Sequence, residues 1–205
     1  MIDQAVLLCA GKGTRLGNIT SNTPKPLVPV MERPFLFWLL DDLVEAGVKD
    51  IILLVGYLGP QFKYITELYP RVRLVESNVV VNKGVLGIRG LNSRFLVANG
   101  DCYPIFYREE PLEALLEDSR RPSLGVKETS EGSVKDCGLA IVDKDVVSMG
   151  LLICGNFSSM RGILGDFYLE GNLHINDLDG LKGAETWLSG KTSIVTSRQL
   201  SPVNS

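Results

Sequence analysis

The chain has one histidine and four cysteines in 205 residues, and both scarcities narrow its chemistry. The cysteines, Cys9, Cys102, Cys137 and Cys154, are scattered with no CxxC pair. A zinc site calls for closer spacing and more than one histidine, so these cysteines are expected to be reduced and structural. An excess of positive charge is also missing. Lys and Arg total 21 against 24 Asp and Glu, a net charge of -3, with no arginine-rich run or basic amphipathic helix. A general nucleic-acid binder carries the opposite footprint. Long apolar runs are absent too: Phe35 to Leu40 is far shorter than the ~20 residues that cross a bilayer. Met1-Ile2-Asp3-Gln4 has no basic leader pattern and reads as the approach to a first strand, so a cytoplasmic protein without membrane contact is expected.

The composition, 45% apolar and 22% charged, suits a globular domain with a sizeable core. Ala5 to Cys9 is a continuous apolar run, the pattern of a strand buried on both faces. A loop rich in Gly, Thr, Asn and Pro follows to Arg33. Pro34 then opens a helix as a first-turn proline, with Leu36, Leu39, Leu40, Leu43 and Val44 at helical spacing and Gly47 as its C-terminal stop. Ile51–Val55, Val72–Val75 and Phe95–Ala98 read as further strands. Pro60 starts a helix with Phe62, Ile65 and Leu68 on one face, and Pro111 starts another through Leu112, Leu115 and Leu116. This alternation predicts βαβ units around a mainly parallel sheet. Beyond it, Leu124–Val126 and Leu139–Val142 read as strands, and Asp143-Lys144-Asp145 as a turn into Val146-Val147. Residues 148–172 read as irregular. Asp177–Leu188 reads as a terminal helix capped by Asn176 or Asp177, with Leu178, Leu181, Ala184 and Leu188 on one face.

The informative segment is Leu8-Cys9-Ala10-Gly11-Lys12-Gly13-Thr14-Arg15-Leu16, followed by Pro24-Lys25-Pro26-Leu27. From residue 4 to residue 31 there is no acidic side chain, yet Lys12, Arg15 and Lys25 are present. An acidic protein has thus gathered cations in the loop after its first strand, the carboxyl-end crevice where α/β sheets bind ligands. Gly11 and Gly13 allow backbone N–H groups to approach a polyphosphate, Arg15 offers a bidentate fork, and Lys25 a compact charge. The spacing fits neither a Walker loop nor a dinucleotide fingerprint. A plain turn-forming loop with solvated cations is the alternative, and glycine pairs alone would favour it.

Ala10-Gly11-Lys12-Gly13-Thr14-Arg15-Leu16 with Pro24-Lys25-Pro26-Leu27-Val28-Pro29-Val30 resembles the signature of the sugar-phosphate nucleotidylyltransferases. The resemblance is closest to the heptose-phosphate guanylyltransferase and phosphocholine cytidylyltransferase branches. Arg33-Pro34-Phe35 through Gly47, Asp50-Ile51-Ile52 through Gly56-Tyr57, and Asn99-Gly100-Asp101 at a strand end extend it across residues 5 to about 106. It implies an α/β, Rossmann-like three-layer sandwich of the nucleotide-diphospho-sugar transferase type, with a mixed, mainly parallel central sheet. Residues 1–190 would form one nucleotidyltransferase domain, with 1–106 as nucleotide-binding half and 107–190 as a shortened acceptor half; 191–205 would be a polar tail. It implies that the backbone of Leu8, Ala10 and Gly11 lines base and ribose, that Gly13, Thr14 and Arg15 hold the β- and γ-phosphates, and that Lys25 meets the α-phosphate. Gly87 would also contact the NTP. Asp101 would bind Mg²⁺, and Arg15, Lys25 and Asp101 would be the catalytic set. A substrate phosphate is already ionised near neutral pH, so such a transfer needs charge neutralisation and positioning rather than a general base.

The chain departs from that pattern in places. The segment Leu86-Gly87-Ile88-Arg89-Gly90 stands where relatives have a small polar stretch, and Arg89 is either an acceptor-phosphate contact or a solvated charge. Gly138 is an expected acceptor-side glycine. The family's second metal-binding aspartate falls on His174, with Asn176 and Asp177 as substitutes after a register shift. The expected partners are an NTP and a small phosphorylated acceptor, a sugar 1-phosphate first, with phosphocholine or another non-sugar phosphate as the alternative. A nucleotide-binding regulatory relative without turnover is a third reading. The base and the oligomeric state stay open.

Overall fold

A computed structural model describes residues 1–77, 81–106, 111–117, 122–130, 133–148, 157 and 164–199. Cys154, most of the stretch between Ser148 and Leu164, and residues 200–205 lie outside the described residues. The strands of the main sheet are β1 (Gln4–Cys9), β4 (Asp50–Val55), β5 (Val72–Glu76), β6 (Arg94–Asn99), β8 (Ser123–Glu128), β9 (Val134–Asp143) and β10 (Gly165–Tyr168), in the order β10-β8-β9-β6-β1-β4-β5. β1 pairs in parallel with β4 and β6, and β4 with β5, while β9 runs antiparallel to both β6 and β8. The sheet is therefore mixed and mainly parallel, as expected. Two small ribbons stand outside it. One joins β2 (Pro29–Val30) to β3 (Arg33–Pro34), and the other joins β7 (Cys102–Ile105) to β11 (Gly171–His174), antiparallel in each case.

Alternation along the central strands explains the two-sided burial. Ala5, Leu7, Ile51, Leu53, Leu96 and Ala98 face one core, filled by Leu36, Leu39, Leu40 and Leu43 of α1 (Phe35–Glu45), Leu112, Leu115 and Leu116 of α4 (Leu112–Glu117), and Ala184 and Leu188 of α6 (Leu178–Gln199). Val6, Ile52, Leu54, Phe95 and Val97 face a second core, closed by Val85 of α3 (Val81–Leu86) and Val146 and Val147 of α5 (Lys144–Ser148). Helices on both faces make a three-layer sandwich. Each fully buried aliphatic side chain contributes about 1.5–3 kcal/mol, which is why these strands carry almost no polar residue.

Several sequence expectations change. Pro34 lies just before α1 with extended geometry (φ -53°, ψ 132°), so it ends the β3 ribbon instead of opening the helix. The helix expected from Pro60 is a short 3₁₀ turn, Gly59–Phe62, followed by the single-turn α2 (Ile65–Leu68). Phe62 and Ile65 are buried but Leu68 is 60% exposed, because one turn cannot bring all three to the sheet. Val146 and Val147 sit in α5, since Lys144 starts a helix at once after β9. Within the stretch expected to be irregular, β10 and the start of β11 are regular. Leu178 is 56% exposed, leaving Leu181, Ala184 and Leu188 as the packed face of α6. That helix continues to Gln199, nine residues into the expected polar tail.

Candidate active site

The strand order reverses between β1 and β6, and the loops leaving their C-terminal ends flank the crevice that such a reversal creates. Gly13 starts the first loop's 3₁₀ turn (Thr14–Thr20) in the left-handed region, with φ 65°. A Cβ there would lie 2.9 Å from Cβ and 3.1 Å from Cδ of Lys25. The glycine therefore both turns the chain and makes room for the lysine stem. Lys25 is fixed between Pro24 and Pro26 in a second 3₁₀ turn, Lys25–Leu27, and is the only charged residue buried among the described residues, at 7% exposure. Across the crevice, Gly100 donates its N–H to the Leu8 carbonyl (3.0 Å), and a Cβ on it would collide with Cys9 Sγ at 2.5 Å. Only glycine allows the turn after β6 to lie this close to β1, which brings Asp101 to Lys25.

The Lys25 ammonium donates to Asp101 Oδ2 and, at 2.5 Å, to Asn176 Oδ1. The same Asn176 oxygen accepts from Arg15 Nη2 at 3.1 Å. Burying an ammonium requires such partners, since an uncompensated buried charge costs several kcal/mol. Asn176 comes from the short link between β11 and α6. Next to it, Asp177 Oδ1 accepts the Gly180 N–H (2.9 Å) and caps α6, as one of the two expected caps. Gly180 must be glycine for this join: a Cβ would fall 2.2 Å from the His174 carbonyl oxygen.

The first loop is also tied from outside. Tyr57 Oη donates toward the carbonyls of Thr20 (3.2 Å) and Ser21 (2.8 Å), and its N–H to the Ala10 carbonyl (3.3 Å). Gln61 Nε2 donates to the Asn22 carbonyl (2.8 Å), and Thr20 Oγ1 to the Gly13 carbonyl (2.9 Å). Periodicity and motif spacing give no signal for these ties.

Of the expected site residues, Arg15, Lys25 and Asp101 converge. Leu8 lies near the end of β1, Ala10, Gly11, Gly13 and Thr14 follow it in the loop, and Gly13 packs against Lys25. Gly138 (φ 72°) lies beside the turn that carries Asp101, its Cβ position 3.0 Å from Asn99 Nδ2 and 3.1 Å from Cys102 Sγ. Gly87 and Arg89 do not join the site. α3 carries the chain back along the sheet, so the Arg89 carbonyl accepts from Arg73, which pairs with Asp50, and the Gly90 carbonyl accepts from Gln4. Gln4 and Asp50 are the first residues of β1 and β4, a strand length of about 20 Å from the other end. The Leu86–Gly90 segment therefore faces the opposite end of the sheet from Asp101, and Arg89 is exposed there.

His174 also points elsewhere. Its Nε2 contacts Asn172 Nδ2 and lies 3.6 Å from Cys102 Sγ, on the β7–β11 ribbon. Burial pushes its pKa below the usual histidine value, against the pull of Asp101. Cys102 Sγ donates to the Cys137 carbonyl (2.8 Å), and burial raises the thiols of Cys9 and Cys102 and pushes Cys137 up to about 11, so all three are neutral fillers as expected. Among the described residues no group of three or more His, Cys, Asp or Glu is placed to hold a metal ion, and no helix is long and apolar enough to cross a membrane.

The nucleotidyl transferase family model matches residues 4–71, a third of the chain. The chain is 44% identical over 79 residues to the 2-aminoethylphosphonate cytidylyltransferase of Lancefieldella rimae, a match covering 38% of this chain and 32% of that protein. It is 27% identical over 184 residues to the D-glycero-alpha-D-manno-heptose 1-phosphate guanylyltransferase of Campylobacter jejuni, covering 82% and 80%. Among solved structures, the CTP:phosphocholine cytidylyltransferase of Streptococcus pneumoniae superposes with a TM-score of 0.67 at 24% identity, over 90% of this chain and 98% of that one, which shows the shared fold. The matched stretch spans about a third of the length of the first of these relatives.

Proposed function

We propose that the protein is a nucleotidyltransferase that moves a nucleoside monophosphate from an NTP to a small phosphorylated acceptor, with a sugar 1-phosphate as the leading class. The observation that carries this reading is the convergence of Arg15, Lys25 and Asp101 at the C-terminal ends of β1 and β6. An acceptor phosphate oxygen attacks the α-phosphorus, the bond from that phosphorus to the oxygen bridging the β-phosphate breaks, and pyrophosphate leaves with the electron pair. Lys25, buried and oriented, neutralises charge on the α-phosphate as it becomes five-coordinate, and Arg15 takes phosphate oxygens farther along the chain. Gly13 and Thr14 join Arg15 in holding the β- and γ-phosphates, and the backbone of Leu8, Ala10 and Gly11 lines the base and ribose.

The donor chemistry fits Mg²⁺. Asp101 Oδ and Asn176 Oδ1 are hard oxygens at the crevice, and the side chain of Asp101 is 25% exposed. His174 offers nitrogen, and that nitrogen is turned to Asn172 and Cys102. Magnesium held there would neutralise charge on the phosphate oxygens. Gly138, beside Asn99 and Cys102, is proposed as the acceptor-side glycine.

The alternative acceptor is a non-sugar phosphate or phosphonate. Its support is the 44% identity over 79 residues to an aminoethylphosphonate cytidylyltransferase; the longer likeness, 27% over 184 residues, is to a heptose-phosphate enzyme and favours the sugar 1-phosphate. Pyrophosphate release over a panel of NTPs, sugar 1-phosphates, phosphocholine and aminoethylphosphonate with Mg²⁺ separates the two. Lys25→Ala is expected to lower turnover by about 10²–10³, the loss of one preorganised electrostatic stabiliser. A near-normal rate in that variant overturns the role of Lys25, and NTP binding without turnover on any acceptor favours a regulatory protein.

A further inference from the structure

The segment from His174 to Asp177 offers three side chains that suit a metal, and only one of them faces the site. His174 is occupied with Asn172 and Cys102, and Asp177 caps α6 through Gly180. The one that reaches Lys25 and Arg15 is Asn176, a neutral amide. Lysine and arginine have no acceptor, so the amide must present its oxygen to both, and that oxygen draws the two cations toward one point. The formal charges at this point are Arg15 (+1), Lys25 (+1) and Asp101 (-1), a balance of +1 that an aspartate in place of Asn176 would cancel.

We propose that Asn176 is a positioning residue that sets this balance, so that the site takes the polyphosphate anion without a divalent metal already in place. The proposal rests on the nucleotidyltransferase reading. Asn176 gathers Arg15 and Lys25 at hydrogen-bond distance without adding negative charge, which leaves the cradle attractive to an anion and a weak trap for a free cation. The divalent ion then enters with the nucleotide phosphates, which carry most of its ligands, while Asp101 supplies one carboxylate.

The test compares the wild-type protein with Asn176→Asp and Asn176→Ala. Pyrophosphate binding is measured by titration calorimetry in EDTA, and free Mn²⁺ binding by electron paramagnetic resonance without nucleotide. Wild type binds pyrophosphate in EDTA. One added charge within about 5 Å of the anion in a partly wet site shifts binding by about tenfold or more. Asn176→Asp is therefore expected to lose about tenfold in pyrophosphate affinity and gain about tenfold for Mn²⁺. These opposite signs are ones that simple loss of structure does not produce. Asn176→Ala, which removes the bridge and adds no charge, loses pyrophosphate affinity without gaining Mn²⁺, and it keeps the test decisive should the aspartate variant not fold. An unchanged pyrophosphate titration in either variant, an unchanged Mn²⁺ titration in Asn176→Asp, or a wild type that binds pyrophosphate only with metal overturns the proposal. A wild type that binds pyrophosphate in EDTA yet releases none from any NTP and acceptor leaves the proposal standing and removes the functional reading instead.

Discussion

Gly11 and Gly13 stand two residues apart in the same motif, and the structure assigns them different burdens. At Gly13, φ is 65° and a Cβ would press on Lys25 and Thr20 at 2.9–3.2 Å. Gly13→Ala therefore carries about 1–2 kcal/mol for the left-handed backbone and about 1–3 kcal/mol for overpacking, together about 2–5 kcal/mol. The atom that must yield is the stem of Lys25, so the ammonium moves with it. A shift of that kind at a positioned charge costs up to about 10²-fold in rate. At Gly11 a Cβ would meet nothing within 4 Å and the backbone needs no positive φ. Gly11→Ala is expected to keep stability within about 0.5 kcal/mol. It should weaken NTP binding only through the crowding of the ligand itself. Urea denaturation gives the stability difference, and pyrophosphate release under saturating and limiting NTP separates rate from binding. The reasoning fails if Gly13→Ala unfolds and turns over like wild type, or if Gly11→Ala costs as much stability as Gly13→Ala.

Gly180→Ala should cost about 2–3 kcal/mol, because its Cβ falls on the backbone carbonyl of His174 and not on a yielding side chain; calorimetry should show Tm lower by about 4–12 °C. Tyr57→Phe removes the donor shared by the Thr20 and Ser21 carbonyls and should cost about 1 kcal/mol in urea denaturation, with faster backbone amide exchange confined to residues 13–22. Cys9, Cys102 and Cys137 are buried with raised pKa values, so iodoacetamide at pH 8 should leave all three unmodified in the native protein by peptide mass mapping, and modify them in urea.

What was legible in the sequence is what local chemistry dictates. β1, β4, β5 and β6 follow from apolar runs that only a sheet covered on both faces can bury, and the cationic loop follows from a charge asymmetry over residues 4–31. The Asn99-Gly100-Asp101 turn was legible for the same reason, although its need for glycine comes from Cys9 on another strand. The losses lie where a residue's role is fixed from a distance. Gly87 and Arg89 were placed by analogy of spacing, but α3 carries them to the far end of the sheet, a matter of chain direction that no residue in the segment encodes. The β7–β11 ribbon joins segments about 70 residues apart, and neither strand has a strong pattern of its own. Asn176 and His174 differ by two positions in sequence; His174 is held in the ribbon beside Asn172 and Cys102, while Asn176, just before the Asp177 cap, reaches Lys25.

The Asn176 bridge spans 161 residues to Arg15 and 151 to Lys25. A ribosome therefore delivers both cations long before the atom that gathers them. Before the segment bearing Asn176 is made, Arg15 and Lys25 have no access to their common acceptor. A phosphate anion encountered in that interval can serve as a substitute anchor, and any ligand that binds only the closed form draws folding toward completion by mass action. A chain interrupted before residue 176 would keep both cations without the oxygen that gathers them.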